Sequence, residues 1–206
     1  MKVWTIPCGS LSANMYVVSD ENGDAVVIDP INLKALNRVV NSAALSVQAV
    51  FLTHGHFDHA EDLSAIRDVF QVPAYIGKED LEYLSDPHKN ASFLIGRPLD
   101  LGKCSGTVSD GDRFIIGDLS IWVNHTPGHT PGSVTYEIED ALFTGDTLFS
   151  GGSGRTDLSG GNHEALMQSL RKLSLFPRDY NIYPGHGSAS FLMLELQRNP
   201  YLKFNE

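Results

Sequence analysis

The chain has 206 residues, which suits one domain of ordinary size, and 42% of them are hydrophobic, enough to build a buried core. Its 25 acidic residues outnumber 15 basic ones, giving a net charge of −10, so nucleic acid is not an expected partner. No apolar run approaches the roughly 18 residues that span a bilayer, so no membrane association is expected. The two cysteines, Cys8 and Cys104, form no spaced framework, which favours free thiols and a cytoplasmic protein.

The first half of the chain combines short strand patterns with helical ones, without regular alternation. Three strand patterns open it, at residues 2–7, 15–19 and 25–28. Asn22 and Gly23 are typical of a hairpin turn between the second strand and the third. A helical pattern at 33–41, a buried strand at 49–52 and a second helix at about 60–70 follow. The polar segment 53–59 lies between that strand and the second helix, so it follows the carboxyl end of the strand, where α/β proteins bind ligands.

The second half repeats this mixture. Residues 86–106 contain several turn formers and little periodicity, and we expect a surface excursion that covers a cleft. Four strand patterns come next, at residues 113–116, 119–124, 133–138 and 141–144. A glycine-rich loop at 145–161 leads to a helix at about 163–173, and a last strand at 181–183 precedes a helix at about 189–198. The pattern predicts an α/β fold of two packed sheets with helices outside.

Four side chains that can bind a metal lie within six residues, in the motif His54-x-His56-x-Asp58-His59. A strand end followed by a tight turn directs His54 and His56 toward one point, with Asp58 and His59 offset toward a second. Gly55 has no Cβ, which lets the turn tighten. Imidazole and carboxylate ligands without thiolate suit a divalent ion such as zinc, iron or manganese.

Three further candidate ligands each follow a strand pattern in a turn that contains glycine. His129 lies in a loop fixed by proline and glycine, and Asp146 and His186 follow the strands at 141–144 and 181–183. With the first motif they supply seven ligands, enough for two ions that keep open coordination positions.

This set of residues resembles the metallo-β-lactamase superfamily, over nearly the whole chain from Asn14 to His186. The segments at 145–149, 154–157 and 184–187 are similar to those of its glyoxalase II branch, the hydroxyacylglutathione hydrolases, which hydrolyse S-acylglutathione thioesters. The resemblance implies a four-layer αββα sandwich with mixed sheets, formed as a single domain over residues 1–206.

The resemblance also implies roles for the ligand residues. The implied sets are His54, His56 and His129 for one ion, Asp58, His59 and His186 for the second, and Asp146 as the bridge between them. Asp58 has a second implied task as a catalytic residue, because its free oxygen orients the nucleophile. We expect two divalent ions per chain, zinc first, with iron and manganese as alternatives.

Two ions about 3.5–4 Å apart share a water and lower its pKa toward about 7, so that hydroxide is available at neutral pH. The expected substrate is a small-molecule thioester, because its thiolate, with a conjugate-acid pKa near about 8.5, leaves without a dedicated general acid. Only 20 residues follow His186, whereas long glyoxalase II enzymes carry a C-terminal helical domain that supplies much of the glutathione pocket. The match is therefore better to short, single-domain bacterial hydrolases of that branch.

Other activities stay open from the sequence alone. Persulfide dioxygenases share the histidine motif and use one iron, held by the equivalents of His54, His129 and Asp146. β-Lactamases proper typically carry cysteine at the bridging position, and a protein that only stores or senses metal is a third alternative. The acyl group, the physiological thiol and the oligomeric state are not fixed by the sequence.

Arg155 is the candidate substrate-binding residue. It lies in a glycine-rich loop just past Asp146, where a backbone can approach a ligand closely. Its guanidinium is a natural partner for a carboxylate of glutathione, and the alternative is a salt bridge to Asp157 that orders the loop.

Overall fold

The structure, a computed structural model, describes residues 1–9 and 11–204. Its first sheet comprises β1 (Lys2–Cys8), β2 (Ala13–Ser19), β3 (Asp24–Ile28), β4 (Ser46–Phe51), β5 (Ala74–Gly77) and β6 (Gly106–Val108), hydrogen-bonded in that order. The pairs β1–β2 and β2–β3 are antiparallel, and the pairs from β3 to β6 are parallel. The sheet is therefore mixed, as expected.

The second sheet also has six strands. Its first four strands along the chain are β7 (Arg113–Ile116), β8 (Leu119–His125), β9 (Val134–Ile138) and β10 (Ala141–Gly145). A separate two-stranded ribbon follows, formed by β11 (Leu148–Phe149) and β12 (Gly152–Ser153). The fifth strand of the sheet is β13 (Asn181–Pro184). The sixth is β14 (Ser190–Phe191), which lies at the edge beside β13. The pair β10–β13 is parallel and the other pairs are antiparallel.

Within the described residues, four α-helices cover the sheets: α1 (Leu33–Ala43), α2 (Leu63–Phe70), α3 (His163–Ser174) and α4 (Leu192–Arg198). The side chain of Asn32 accepts a hydrogen bond from the amide of Ala35 and so caps α1, and Asn162 caps α3 in the same way. Short 3₁₀ helices occur at Phe57–His59, Lys78–Leu84, Ser92–Ile95 and Pro200–Leu202. Among the described residues, no helix combines the length and apolarity needed to cross a membrane.

Three apolar layers hold these elements together. The alternation of β2 sends Met15 and Val17 toward α1 and α2, and sends Tyr16 and Val18 into the space between the two sheets. A third cluster, which includes Leu166 of α3, packs helices on the outer face of the second sheet. The layer order is helix, sheet, sheet, helix, which confirms the predicted αββα sandwich.

The structure differs from the sequence prediction in several places. Helix α2 begins at Leu63 and not near residue 60, because residues 57–59 form a separate 3₁₀ turn. Residues 190–191, predicted within the last helix, pair with β13 as an edge strand. Strands β5 and β6 were not predicted, since each is only three or four residues long. Residues 86–106 do form an excursion of turns and one 3₁₀ helix.

Candidate metal centre

The histidine motif follows the end of β4, a central strand of the first sheet. Residues 52–60 form one fully buried segment, and the 3₁₀ turn Phe57–His59 carries the second of its two pairs of ligands. His54 and His59 are completely buried, and Asp58 is 7% exposed. Burial of so many polar groups is costly unless each has a partner, so the motif indicates a built site.

The other three candidate ligands come from adjacent strand ends of the second sheet. His129 lies in the loop between β8 and β9, Asp146 follows β10, and His186 follows β13. Because β10 and β13 are parallel neighbours, they bring Asp146 and His186 to the same edge. The amide of Gly185 donates to the carbonyl of Gly145, which fixes the two turns against each other.

The seven predicted ligands meet at this edge in two clusters. In the first, ligand atoms of His54, His56 and His129 lie within 4.8 Å of one another, and His56 Nδ1 is 2.9 Å from His129 Nε2. In the second, His186 Nε2 is 3.2 Å from His59 Nε2 and 3.3 Å from an oxygen of Asp58. Each cluster therefore takes two side chains from the motif and one from the second sheet.

Asp146 lies between the clusters. One of its oxygens is 3.4 Å from His59 Nε2, and the other is 3.4 Å from His129 Nε2. The second oxygen is also 3.7 Å from His186 Nε2. A carboxylate whose oxygens lie near histidines of both clusters has the arrangement that a bridging ligand requires.

Several buried polar atoms of the site have no hydrogen-bond partner. They include His54 Nε2 and Asp146 Oδ1, both of which belong to the clusters. An unpaired buried nitrogen or oxygen costs about 1–3 kcal/mol, and a coordinated cation would remove that cost. The donor set of imidazoles and carboxylates therefore fits divalent ions such as zinc, iron or manganese.

Hydrogen bonds from outside the clusters fix the orientation of the imidazoles. Asp29 Oδ2 accepts from His59 Nδ1 at 2.8 Å, which directs Nε2 of that ring into the second cluster. The backbone carbonyl of Arg155 accepts from His129 Nδ1 at 2.7 Å with the same effect in the first. Such partners set the tautomer and raise the basicity of a metal-binding histidine.

Asp80 is a buried residue that sequence reasoning missed. Its carboxylate accepts hydrogen bonds from the amides of Gly55 and Gly132, at 2.8 and 2.7 Å, and from the hydroxyl of Thr130 at 2.6 Å. Asp80 thus connects the turn that carries His54 with the loop that carries His129. No motif spacing marks it, since its partners lie 25 to 52 residues away.

The turn that carries His186 is held from the first sheet. The side-chain amide of Asn14 donates to the carbonyls of Pro184 and Gly187, both at 2.9 Å, and the hydroxyl of Tyr16 donates to Pro184 at 2.6 Å. A Cβ on Gly185 would lie 2.1 Å from an Asp146 oxygen, so only glycine fits there. These contacts fix the position of His186 relative to the motif.

Charge and burial separate the pKa values of the site residues. Burial, with the nearby His129, lowers the pKa of His56 to about 3. Burial alone would also lower the pKa of His59. The carboxylates of Asp58, Asp146 and Asp29 outweigh the effect of burial and raise the pKa of His59 to about 10. Burial raises the pKa of Asp58, yet the adjacent histidines outweigh that effect and hold it well below its usual range.

The backbone carbonyl of Arg155 holds His129 in place, and the side chain of Arg155 lies beside the two clusters. The guanidinium forms a two-point ion pair with Asp157, at 2.6 and 2.7 Å, and its side chain is 61% exposed. The alternative salt bridge is therefore present, while the residue also lines the cleft above the clusters. The proposed carboxylate contact stays a prediction.

A cleft of about 510 Å³ opens above the clusters. His56, Asp58, His129, Asp146 and His186 line it together with Arg155 and Ser153, and its remaining lining residues are Leu11, Phe57, Ala91, Leu94, Ile95, Phe149 and Leu158. Ala91, Leu94 and Ile95 belong to the excursion that was expected to cover a cleft, and they line this one. The size is in the usual range for sites that bind small molecules.

The chain belongs to the metallo-β-lactamase superfamily, whose family model matches residues 8–186. A similar relative is the probable metallo-hydrolase YqgX of Bacillus subtilis, 35% identical over 98% of both chains. Another is the hydroxyacylglutathione hydrolase GloC of Haemophilus influenzae, 30% identical over 98% of both chains. The family and these relatives indicate a metal-dependent hydrolase.

Solved structures support the same assignment. The BLEG-1 B3 metallo-β-lactamase is 35% identical, with a TM-score of 0.93 over 98% of this chain and all of that one. TTHA1623 in a di-iron-bound form is 31% identical, with a TM-score of 0.86 over 97% of this chain and all of that one. ETHE1 from Myxococcus xanthus is 30% identical, with a TM-score of 0.80 over 97% of this chain and 84% of that one.

Proposed function

We propose that the chain is a dinuclear metal-dependent thioesterase that cleaves thioesters of the S-acylglutathione type. The observation that carries the proposal is the second cluster, because Asp58, His59 and His186 form a complete triad beside the first one. A single ion held by His54, His129 and Asp146 would leave that triad without a cation. The two oxygens of Asp146 directed toward different clusters support the same stoichiometry.

Two divalent ions at these clusters would supply Lewis acidity, both to activate the attacking water and to polarise the acyl carbonyl. The residues of the chain position that chemistry. Asp58 is ionised at neutral pH because the neighbouring histidines keep its pKa low, so an oxygen not used for binding a metal can accept a hydrogen bond from the nucleophile and orient it. His59 and His129 are held by Asp29 and by the Arg155 carbonyl, which fixes the site before substrate binds.

The leaving group follows from the cleft. Among the described residues that line it, Arg155 is the one titratable side chain outside the ligand clusters, and arginine does not give up its proton. A thiolate leaves without protonation, whereas the amine of a hydrolysed amide needs a proton donor. The cleft is therefore suited to thioesters, and the full-length similarity to a hydroxyacylglutathione hydrolase supports the same substrate class.

The test is metal analysis of protein purified without chelator, followed by assays with a glutathione thioester, a chromogenic cephalosporin and a glutathione persulfide. We expect close to two equivalents of metal and hydrolysis of the thioester well above the Asp146→Ala background. Hydrolysis of the cephalosporin in preference to the thioester would instead identify a β-lactamase, which the similarity to BLEG-1 makes a necessary control.

The mononuclear alternative has its own signature. One iron per chain, with oxygen uptake that depends on the persulfide and no thioester hydrolysis, would replace the proposal with a dioxygenase. The matched variant is His186→Ala, which removes a ligand of the second cluster only. If the enzyme is a dinuclear thioesterase, this variant should lose thioester hydrolysis. If the enzyme uses a single ion at the first cluster, the variant should keep its activity.

A further inference from the structure

The rim of the cleft carries large apolar side chains that the metal chemistry does not use. Leu11, Leu94 and Ile95 line the cleft and are 52%, 67% and 44% exposed. Single exposed apolar residues are common, but several that share one cleft with a catalytic cluster mark a binding surface. Phe149 and Leu158 extend the apolar lining toward the clusters.

Leu94 and Ile95 are exposed on a firmly anchored segment, residues 90–99. The carbonyl of Asn90 accepts from the amide of Phe57, at 2.9 Å, which connects the segment to the histidine motif itself. The side chain of Asn90 bonds to Ser92 and Leu99, and both Asn90 and Ser92 are fully buried. Leu94 and Ile95 therefore have a fixed position relative to the clusters, and their exposure does not come from a loose loop.

We infer that this rim binds an apolar acyl chain, so that the preferred substrates are thioesters of straight-chain carboxylic acids and not of short hydroxy acids. The inference rests on the proposed thioesterase function for its kinetic test. The apolar side chains and the ligand residues line one continuous cleft. A thioester whose carbonyl lies at the clusters therefore extends its acyl group along a lining that, outside the ligands, is mainly apolar. Arg155, from a different segment, stays available to the thiol part.

The expected magnitude comes from burial of methylene groups. Each buried CH₂ contributes about 0.8 kcal/mol, which corresponds to about a fourfold gain in kcat/KM for each added methylene. Over the series from acetyl to hexanoyl thioesters the gain should continue until the cleft is filled. A hydroxyl on the acyl chain should lower kcat/KM, because the apolar rim offers it no hydrogen-bond partner.

The experiment measures kcat/KM for acetyl, butanoyl, hexanoyl and octanoyl thioesters of glutathione with the metal-loaded wild type, the double variant Leu94→Ser/Ile95→Ser, and the control Leu175→Ser. Leu175 is 77% exposed at the end of α3 and does not line this cleft. We expect about a fourfold gain per methylene in the wild type and the control, and about twofold or less in the double variant. Acetyl thioester hydrolysis by the control Leu175→Ser should match that of the wild type.

A second measurement separates this inference from the proposed function. Non-hydrolysable S-alkyl thioethers of glutathione, from methyl to octyl, are titrated into the same three proteins by calorimetry. Tighter binding with chain length, lost in the double variant, supports the apolar rim even where no thioester is hydrolysed. Affinity and kcat/KM that are independent of chain length, or equally dependent on it in the double variant, would overturn the inference.

Discussion

Asp29 and His59 are joined by a hydrogen bond of 2.8 Å between a carboxylate oxygen and the imidazole Nδ1, although 30 residues separate them in the chain. Asp29 also accepts from the amide and the hydroxyl of Thr53, at 2.7 and 2.8 Å. It adopts a positive φ of 57°, which places it in the left-handed region. One buried carboxylate thus fixes both the strand end before the motif and a ring within it.

The variant Asp29→Asn tests that relationship. Asparagine tolerates the left-handed backbone, so the fold should be retained, but the amide is a weaker acceptor for His59. We expect metal affinity to fall about 10–100-fold, the usual cost of losing such a partner. Competition with a chelator of known affinity measures the change, and Asp118→Asn, a carboxylate outside the site, serves as control.

The variant Asp146→Ala should be the most damaging single substitution. It removes the carboxylate between the clusters and leaves two cations facing each other without a bridge. We expect at least one metal equivalent and nearly all turnover to be lost. Elemental analysis of the variant checks this, and retention of both metals with near-normal turnover would show that Asp146 does not bridge.

The variant Arg155→Ala should raise KM more than it lowers kcat for a glutathione thioester. The backbone carbonyl that holds His129 is unchanged, so both metals should stay bound. A neutral thioester of N-acetylcysteamine with the same acyl group should be affected less.

Asp157→Asn is the matched control for Arg155. It weakens the ion pair and leaves the guanidinium in place, so KM for the glutathione thioester should not rise. An equal loss for both substrates in Arg155→Ala, or loss of metal, would make the arginine a structural residue.

The variant Asp80→Ala should destabilise the protein by about 3 kcal/mol or more. It leaves the buried amides of Gly55 and Gly132 and the hydroxyl of Thr130 without an acceptor, and each orphaned group costs about 1–3 kcal/mol. Urea unfolding of the metal-free protein measures the change. Asp80→Asn, which keeps one acceptor oxygen, should lose less, and equal losses would argue against this account.

The stability of the metal-free protein should reach a maximum near pH 6.5. Because the pKa of His56 is lowered to about 3, the unfolded chain binds more protons between pH 3 and 6.5, and stability rises with pH there. Because the pKa of His59 is raised to about 10, the folded state binds more protons between pH 6.5 and 10, and stability falls.

Urea unfolding from pH 5 to 9 after chelator treatment tests this profile. Bound metal requires deprotonated His59, so the decline on the alkaline side should vanish in the metal-loaded protein. A metal-free stability that keeps rising from pH 6.5 to 9 would contradict the raised pKa of His59.

The fold and all seven candidate ligands could be predicted because their signals are local. His54 to His59 lie within six residues, and Asp146 and His186 directly follow strands that apolar patterns mark. Asp80 could not be found in this way, since its role comes from tertiary contacts with three distant residues. Strand β14 was missed because two residues carry no period, and only its pairing with β13 defines it.

Neither half of the chain holds a complete set of ligands. The third ligand beside His54 and His56 is His129, which comes from the other sheet. The third ligand beside Asp58 and His59 is His186, from the same sheet as His129. The ions would consequently bind late in folding, only after the two sheets have packed together. Once bound, they would link the two sheets and stabilise their packing. Metal retention by this protein would therefore report on the integrity of the whole sandwich.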